Sequence, residues 1–225
     1  MQPLLPSLAL ALCSLALALA GPLPAQAADE HAGHHPRAQP PEAAQVQFAD
    51  VELTDQHGRP VRLKDEVVGD RIVVMGFIYT SCTTVCPVVS AIMQKVQAQL
   101  GDMVGNEVQL VSISVDPLRD TPQRLREYAS QFQAGPGWTW LTGPVPAVND
   151  TLKGLGTWSA DFTSHPPVIM VGDGRSAQWT RFYGFTDPAV LVGRVYALGA
   201  ARQHTPPGHD GPGHAAQAAQ QEERP

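Results

Sequence analysis

Between residues 46 and 202 the apolar positions fall into short blocks whose periods alternate. Val46–Leu53 and Val61–Leu63 flank the turn Thr54-Asp55-Gln56-His57-Gly58-Arg59-Pro60, which predicts an N-terminal β-hairpin with His57 in a solvated turn. Ile72–Tyr79 is an unbroken apolar, β-branched run, the mark of a strand covered on both faces. Val88–Leu100 then takes up helical spacing, and Glu107–Val115 is a second apolar strand stopped by Asp116-Pro117. Thr121-Pro122 opens a helix to about Gln133, with Thr as N-cap and Pro in the first turn. After Gly135-Pro136-Gly137 come a short apolar stretch, Trp138–Leu141, and a further helix over Pro146–Leu155. Val168–Val171 and Trp179–Tyr183 flank the turn Gly172–Arg175 as a second hairpin, and Thr186-Asp187-Pro188 starts a last helix to about Arg202. Strand–helix–strand–helix order calls for parallel strands, and the following hairpin adds an antiparallel edge. The expected fold is α/β and thioredoxin-like, a central mixed sheet flanked by helices with an N-terminal β-hairpin.

The flanks differ in composition. Residues 1–20 are rich in Leu and Ala without a charged side chain, and Ala25-Gln26-Ala27 offers a cleavage pattern before Ala28. Residues 1–27 are therefore expected to be a signal peptide of an exported, periplasmic protein, with an uncleaved N-terminal membrane anchor as the alternative. Leu12 before Cys13 fits a lipoprotein signal poorly, and cleavage would leave Cys82 and Cys86 as the cysteines of the mature chain. Residues 28–45, with His31, His34 and His35, read as a flexible linker. Residues 203–225, with His204, His209 and His214, read as a disordered His/Pro/Gly tail. The domain is then 46–202. A net charge of −6 without basic clusters argues against nucleic acid as a partner.

Chemistry concentrates at Tyr79-Thr-Ser-Cys82-Thr-Thr-Val-Cys86-Pro87, where the core strand turns into a helix. If Cys82 lies at the helix entrance and Cys86 in its first turn, a four-residue step stacks them on one face, and the free N–H groups of that end favour thiolate. The hairpin strand after His165-Pro166-Pro167 runs opposite to Ile72–Tyr79, so His165 is expected beside the cysteine loop. Asp116 ends the neighbouring strand at the edge where ligands bind, as a supporting group at most. Two thiolates and one imidazole make a soft, low-coordinate set suited to Cu(I), or to Zn(II) with a fourth ligand.

Three motifs in order carry a family likeness: Gly76–Pro87 with its two cysteines, Ser114-Val-Asp116-Pro117-Leu-Arg-Asp-Thr-Pro122, and His165 before an apolar strand. From Val46 to Arg202 the chain resembles the Sco/SenC family, thioredoxin-like copper proteins of cytochrome c oxidase assembly. The resemblance implies copper, as Cu(I) and/or Cu(II), held by Cys82, Cys86 and His165. It implies a copper-site subunit of cytochrome c oxidase, or a similar target, as the recipient, and a copper donor or thiol reductant upstream. Cys82 and Cys86 would also form the family's redox-active disulfide. The chain departs from the family in carrying Ser164 where Asp commonly precedes the histidine, and two prolines after it.

Two enzymatic readings compete with a metallochaperone. In a thiol–disulfide oxidoreductase, Cys82 would attack and Cys86 resolve, although three intervening residues are one more than in Cys-x-x-Cys. In a peroxidase, Thr83-Thr-Val-Cys86 would resemble the Thr-x-x-Cys of peroxiredoxins, which also need an Arg at the thiolate; Arg181 is the distant candidate.

Overall fold

Residues 39–204 are described by a computed structural model. The expected signal peptide or anchor and nearly all of the expected tail lie outside them. The strands are β1 (Glu42–Ala44), β2 (Glu52–Asp55), β3 (Pro60–Arg62), β4 (Ile72–Ile78), β5 (Val108–Ser114), β6 (Trp138–Thr142), β7 (Val168–Asp173) and β8 (Trp179–Tyr183). The helices are α1 (Val85–Leu100), α2 (Pro122–Gln131), α3 (Val145–Gly154) and α4 (Pro188–His204), joined by a π-helical stretch, Leu63–Val68, and two 3-10 turns, Gly101–Met103 and Phe162–Ser164. Among the described residues no helix is long and apolar enough to cross a membrane.

All seven residues of β4 and of β5 are buried, which is why β4 reads as a continuous apolar run and why β5 keeps its apolar residues on both faces, with Gln109, Ser112 and Ser114 buried among them. They pair in parallel from Ile72↔Val108 to Ile78↔Ser114. One mixed sheet of order β1-β8-β7-β4-β5-β6-β2-β3 results, with β6 as a third parallel strand beside β5. β7 runs antiparallel to β4, from Ile72↔Asp173 to Gly76↔Ile169.

Because side chains alternate along a strand, the sheet carries two cores. The first takes Ile72, Val74 and Ile78 of β4 against α1, α2 and α4, and it includes Cys82 and Cys86. Within it Trp138 and Trp140 stack with centroids 4.9 Å apart, and Tyr128 meets Trp140 edge-on at 5.7 Å. The second takes Val73, Met75 and Phe77 against α3 and the π-helical stretch. Tyr79, just past β4, packs against both. α1 buries Cys86, Val89, Met93, Val96 and Leu100, the three- and four-residue steps of one helical face. In α2 the Thr121 hydroxyl accepts the Arg124 N–H at 3.3 Å, the expected N-cap.

Of the expected strand Val46–Leu53, β2 keeps only Glu52 and Leu53 and runs on to Asp55, and two further local expectations change. The segment 28–45 is not linker throughout, because Glu42–Ala44 pairs with β8 as an edge strand. Three residues leave no readable period, and the pairing is fixed from across the sheet. The Glu42 carboxylate accepts from Arg181 at 3.1 Å and from the Tyr183 hydroxyl at 2.8 Å. The second change is at α1, which begins at Val85 rather than Val88 and so draws Cys86 into its first turn.

Candidate metal and thiol site

The strand-to-helix junction places both sulfurs under a short loop. The Cys82 N–H donates to the Tyr79 carbonyl at 3.2 Å, which turns the chain out of β4, and α1 starts three residues later. The Cys86 N–H, unpaired within the helix at that position, donates to Cys82 Sγ at 3.3 Å. The Thr84 hydroxyl lies 3.9 Å from the same sulfur. Cys82 and Cys86 are unbridged thiols, both buried.

Their environments push the two thiols apart. Burial acts to raise the Cys82 pKa. It is outweighed by hydrogen bonds from the Cys86 N–H and thiol, the Thr84 N–H and the Tyr79 hydroxyl, so Cys82 falls to about 7. Cys86 is pushed up to about 12, first by deeper burial and then by its hydrogen bond with Cys82. Tyr79 likewise rises to about 12, by burial and because its hydroxyl donates to Cys82. Cys82 is thus a ready thiolate at neutral pH, with Cys86 as its protonated neighbour.

His165 occupies the end of the segment that leads into β7. Since β7 ends its pairing with β4 at Gly76↔Ile169, this segment runs past the end of β4, as the strand direction requires. The ring, however, lies edge-on to Phe77 of the second core, with centroids 6.4 Å apart at 70°. Its Nε2 is buried and has no hydrogen-bond partner. Burial lowers the His165 pKa, opposed by its own backbone, and keeps the imidazole neutral, the form that binds metal. Among the described residues no three His, Cys, Asp or Glu side chains stand close enough to share a metal ion. The structure therefore joins Cys82 to Cys86 and stows the third expected ligand in the adjoining core.

Tyr79 stands between the two. Its hydroxyl reaches Cys82, while its ring meets Phe162 edge-on with centroids 5.1 Å apart at 85°. The Arg119 guanidinium covers the Phe162 ring at 5.8 Å. In the 3-10 turn the Asp161 carboxylate accepts the Thr163 N–H at 2.9 Å and the hydroxyls of Thr163 and Ser164.

Asp116 is buried and is held by Arg119 at 3.0 Å. The carboxylate that supports the cysteine loop is Asp120, which the sequence reading did not single out. It accepts the Thr80 N–H at 3.1 Å, the Thr80 hydroxyl at 2.5 Å and the Ser114 hydroxyl at 2.6 Å. The sequence signal was the same Asp-x-x-x-Asp-Thr-Pro run that holds Asp116, but Thr80 lies 40 residues upstream. Arg181 is engaged by Glu42 and the Leu155 carbonyl.

Comparison with known proteins is consistent along the chain. The SCO1/SenC family pattern matches residues 38–167, more than half of the 225 residues. A Stutzerimonas stutzeri protein named for copper binding is 35% identical over 106 residues, 47% of this chain and 50% of its own length. The SCO1 homologue of Bacillus subtilis is 33% identical over 90 residues, 40% of this chain and 45% of its own. The matched part thus spans half or less of these relatives. Among solved structures, a SCO1/SenC family lipoprotein of Bacillus anthracis superposes with a TM-score of 0.60 at 24% identity, covering 70% of this chain and 98% of the other. Copper-bound ScoI of Arabidopsis thaliana gives 0.55 at 24%, covering 68% and 96%. At such identities the superpositions show a shared fold.

Proposed function

The chain belongs to the SCO1/SenC family, and we propose that it carries copper on Cys82, Cys86 and His165 and hands it to a protein copper site such as that of cytochrome c oxidase subunit II. One observation carries the reading: a cysteine pair with one ready thiolate, Cys82, lies at the end of β4, and a buried, neutral imidazole with an unpartnered Nε2 lies at the start of β7. An orphaned buried nitrogen is costly unless something completes it. A soft cation held by two sulfurs would supply that partner once the 157–167 segment moves the ring across. The relatives point the same way: the Stutzerimonas stutzeri protein is named for copper binding, and the Arabidopsis ScoI structure holds copper.

The chemistry of holding and release follows from the residues. Cys82 offers its lone pair first because roughly half of it is already ionised at pH 7, and Cys86 must lose a proton as it binds, so capture releases protons. A recipient with its own thiolates would replace these ligands one at a time, which avoids freeing the ion. The neutral His165 is the ligand most readily exchanged, because it gives up no charge on leaving. Export to the periplasm fits this role and is part of the same proposal.

Anaerobic loading with Cu(I) in the presence of a competing chelator tests the reading. One ion per reduced chain is expected, with retention weakened at least about tenfold (~1.4 kcal/mol) in His165→Ala and about a hundredfold or more in Cys86→Ser. Equal retention by wild type and His165→Ala would remove the histidine from the site.

The pKa split favours a second reading on the same residues. The Cys82 thiolate would attack a target disulfide, forming a mixed disulfide and releasing one target thiolate. Cys86, on losing its proton, would then attack Cys82 Sγ, closing the Cys82–Cys86 disulfide and leaving the target reduced by two electrons. Turnover of a target disulfide by the metal-free protein would support it.

A further inference from the structure

We propose that Phe162 is a positioning residue, a latch whose ring on Tyr79 keeps His165 stowed and makes arrival of the imidazole wait on ligation at Cys82. The inference rests on the copper reading above and assigns the order and control of that same site.

The segment 157–167 is lightly anchored. Its 3-10 turn buries no residue fully, and Thr163 and Ser164 are exposed. Asp161 bonds only within the turn, which stiffens it without fastening it to the sheet. The segment's ends are tied by the Thr157 N–H to the Leu152 carbonyl at 2.8 Å, by the Gly184 N–H to the Pro167 carbonyl at 2.9 Å and by Trp158 under the Lys153 ammonium. Between them, the aromatic contacts that fasten the turn are Phe162 on Tyr79 and, on the outside, the Arg119 guanidinium over the same ring. Three residues later the His165 ring is wedged against Phe77. Moving the imidazole toward the sulfurs therefore requires Phe162 to leave or to slide along Tyr79.

Tyr79 makes this contact responsive to the sulfur. Its hydroxyl donates to Cys82 Sγ, so the ring that Phe162 rests on is oriented by that sulfur. When Cys82 shares a lone pair with copper, its sulfur becomes a weaker acceptor and the Tyr79 ring is held less firmly on that side. The face presented to Phe162 shifts, the edge-on contact weakens, and the turn carrying His165 is released. Sulfur ligation comes first and the imidazole second, with one aromatic pair transmitting the event between the two cores. Edge-to-face pairs of this kind are strong enough to hold a turn and weak enough to be overridden by a metal–ligand bond.

Carbethoxylation of histidine by diethyl pyrocarbonate, mapped by mass spectrometry on the reduced, metal-free full chain, tests the latch without copper. The exposed His57 and His204 serve as internal references. In Phe162→Ala the His165 rate is expected to rise about three- to tenfold while the references stay unchanged, and Phe162→Tyr should restore the wild-type rate. A general loss of structure would raise every buried site and lower the melting temperature; a latch raises His165 alone. Identical His165 rates in wild type and Phe162→Ala would overturn the latch and leave the copper reading intact. Equal copper retention by His165→Ala would overturn the copper reading, and with it the purpose given to the latch, whatever the carbethoxylation rates.

Discussion

Replacing Tyr79 by Phe removes one hydroxyl from the cysteine loop and keeps the ring. That hydroxyl is one of the donors, with the Cys86 N–H and thiol and the Thr84 N–H, that together overcome burial and bring Cys82 to about 7. A hydrogen bond to a charged acceptor contributes about 1.5–3 kcal/mol, and its share here is at the low end because three other donors remain. About 1.4 kcal/mol corresponds to one pKa unit, so Cys82 in Tyr79→Phe should titrate near ~8. At pH 7 the thiolate fraction then drops from roughly one half to roughly one tenth, and alkylation slows about fivefold. Above pH 9, where both proteins are ionised at Cys82, the rates should converge. The assay is iodoacetamide labelling of the reduced, metal-free chain over pH 5–10, with Cys82 and Cys86 followed separately by peptide mapping. Cys86, at about 12, should show no inflection in this range. Superimposable Cys82 profiles for the two proteins would refute the donor role of Tyr79. A wild-type midpoint at an ordinary thiol value would refute the whole account of the loop.

Two further perturbations probe the frame. Asp120→Asn places an amide against the Thr80 and Ser114 donors, so the buried network loses acceptors and should destabilise the fold by about 2 kcal/mol. Chemical denaturation measures the loss, and faster exchange of the Thr80 amide should accompany it; an unchanged midpoint would deny the network its role. At the end of α4, Arg202 donates to buried Asp173 at 2.5 Å. Burial works to raise the Asp173 pKa, but hydrogen bonds from Arg202, the Arg175 N–H and Ser176 lower it overall. A carboxylate depressed on folding contributes stability present above its unfolded pKa, near 4, and lost as pH falls through the lower folded value. Arg202→Gln should therefore cost about 1–3 kcal/mol at pH 7 and progressively less in acid. Melting curves from pH 7 down to pH 3 that stay parallel would contradict this.

Much of this architecture was legible because β4 is apolar throughout, β5 largely so, and the turns carry Gly, Pro and Asp. Thr121-Pro122 announced α2, and the opposed directions of β4 and β7 placed the His165 segment past the end of β4. The hidden features were those decided at a distance. Glu42–Ala44 becomes a strand because β8 offers it a free edge, and Trp138–Thr142 joins the parallel set through its register with β5. The three residues before Val88 look unlike a helix because Val85 is β-branched and Pro87 tolerates only a first turn; both are acceptable where no preceding turn crowds them. Asp116 attracts notice beside Pro117, yet Asp120 takes up the loop because folding brings Thr80 to it. The side on which the His165 ring rests was not written in the alternation at all, since Pro166 and Pro167 set an extended backbone without fixing what the preceding ring packs against.

The stacked Trp138 and Trp140, with Tyr128 against them, share a core with Cys86 and not with the resting imidazole. Their ultraviolet emission reports on the sulfur side once Trp179, which lies in the second core, and Trp158, on the segment that carries His165, are replaced. In a chain carrying Trp158→Phe and Trp179→Phe, a fluorescence trace and a histidine-specific probe recorded on one sample would keep separate clocks for the two halves of ion capture.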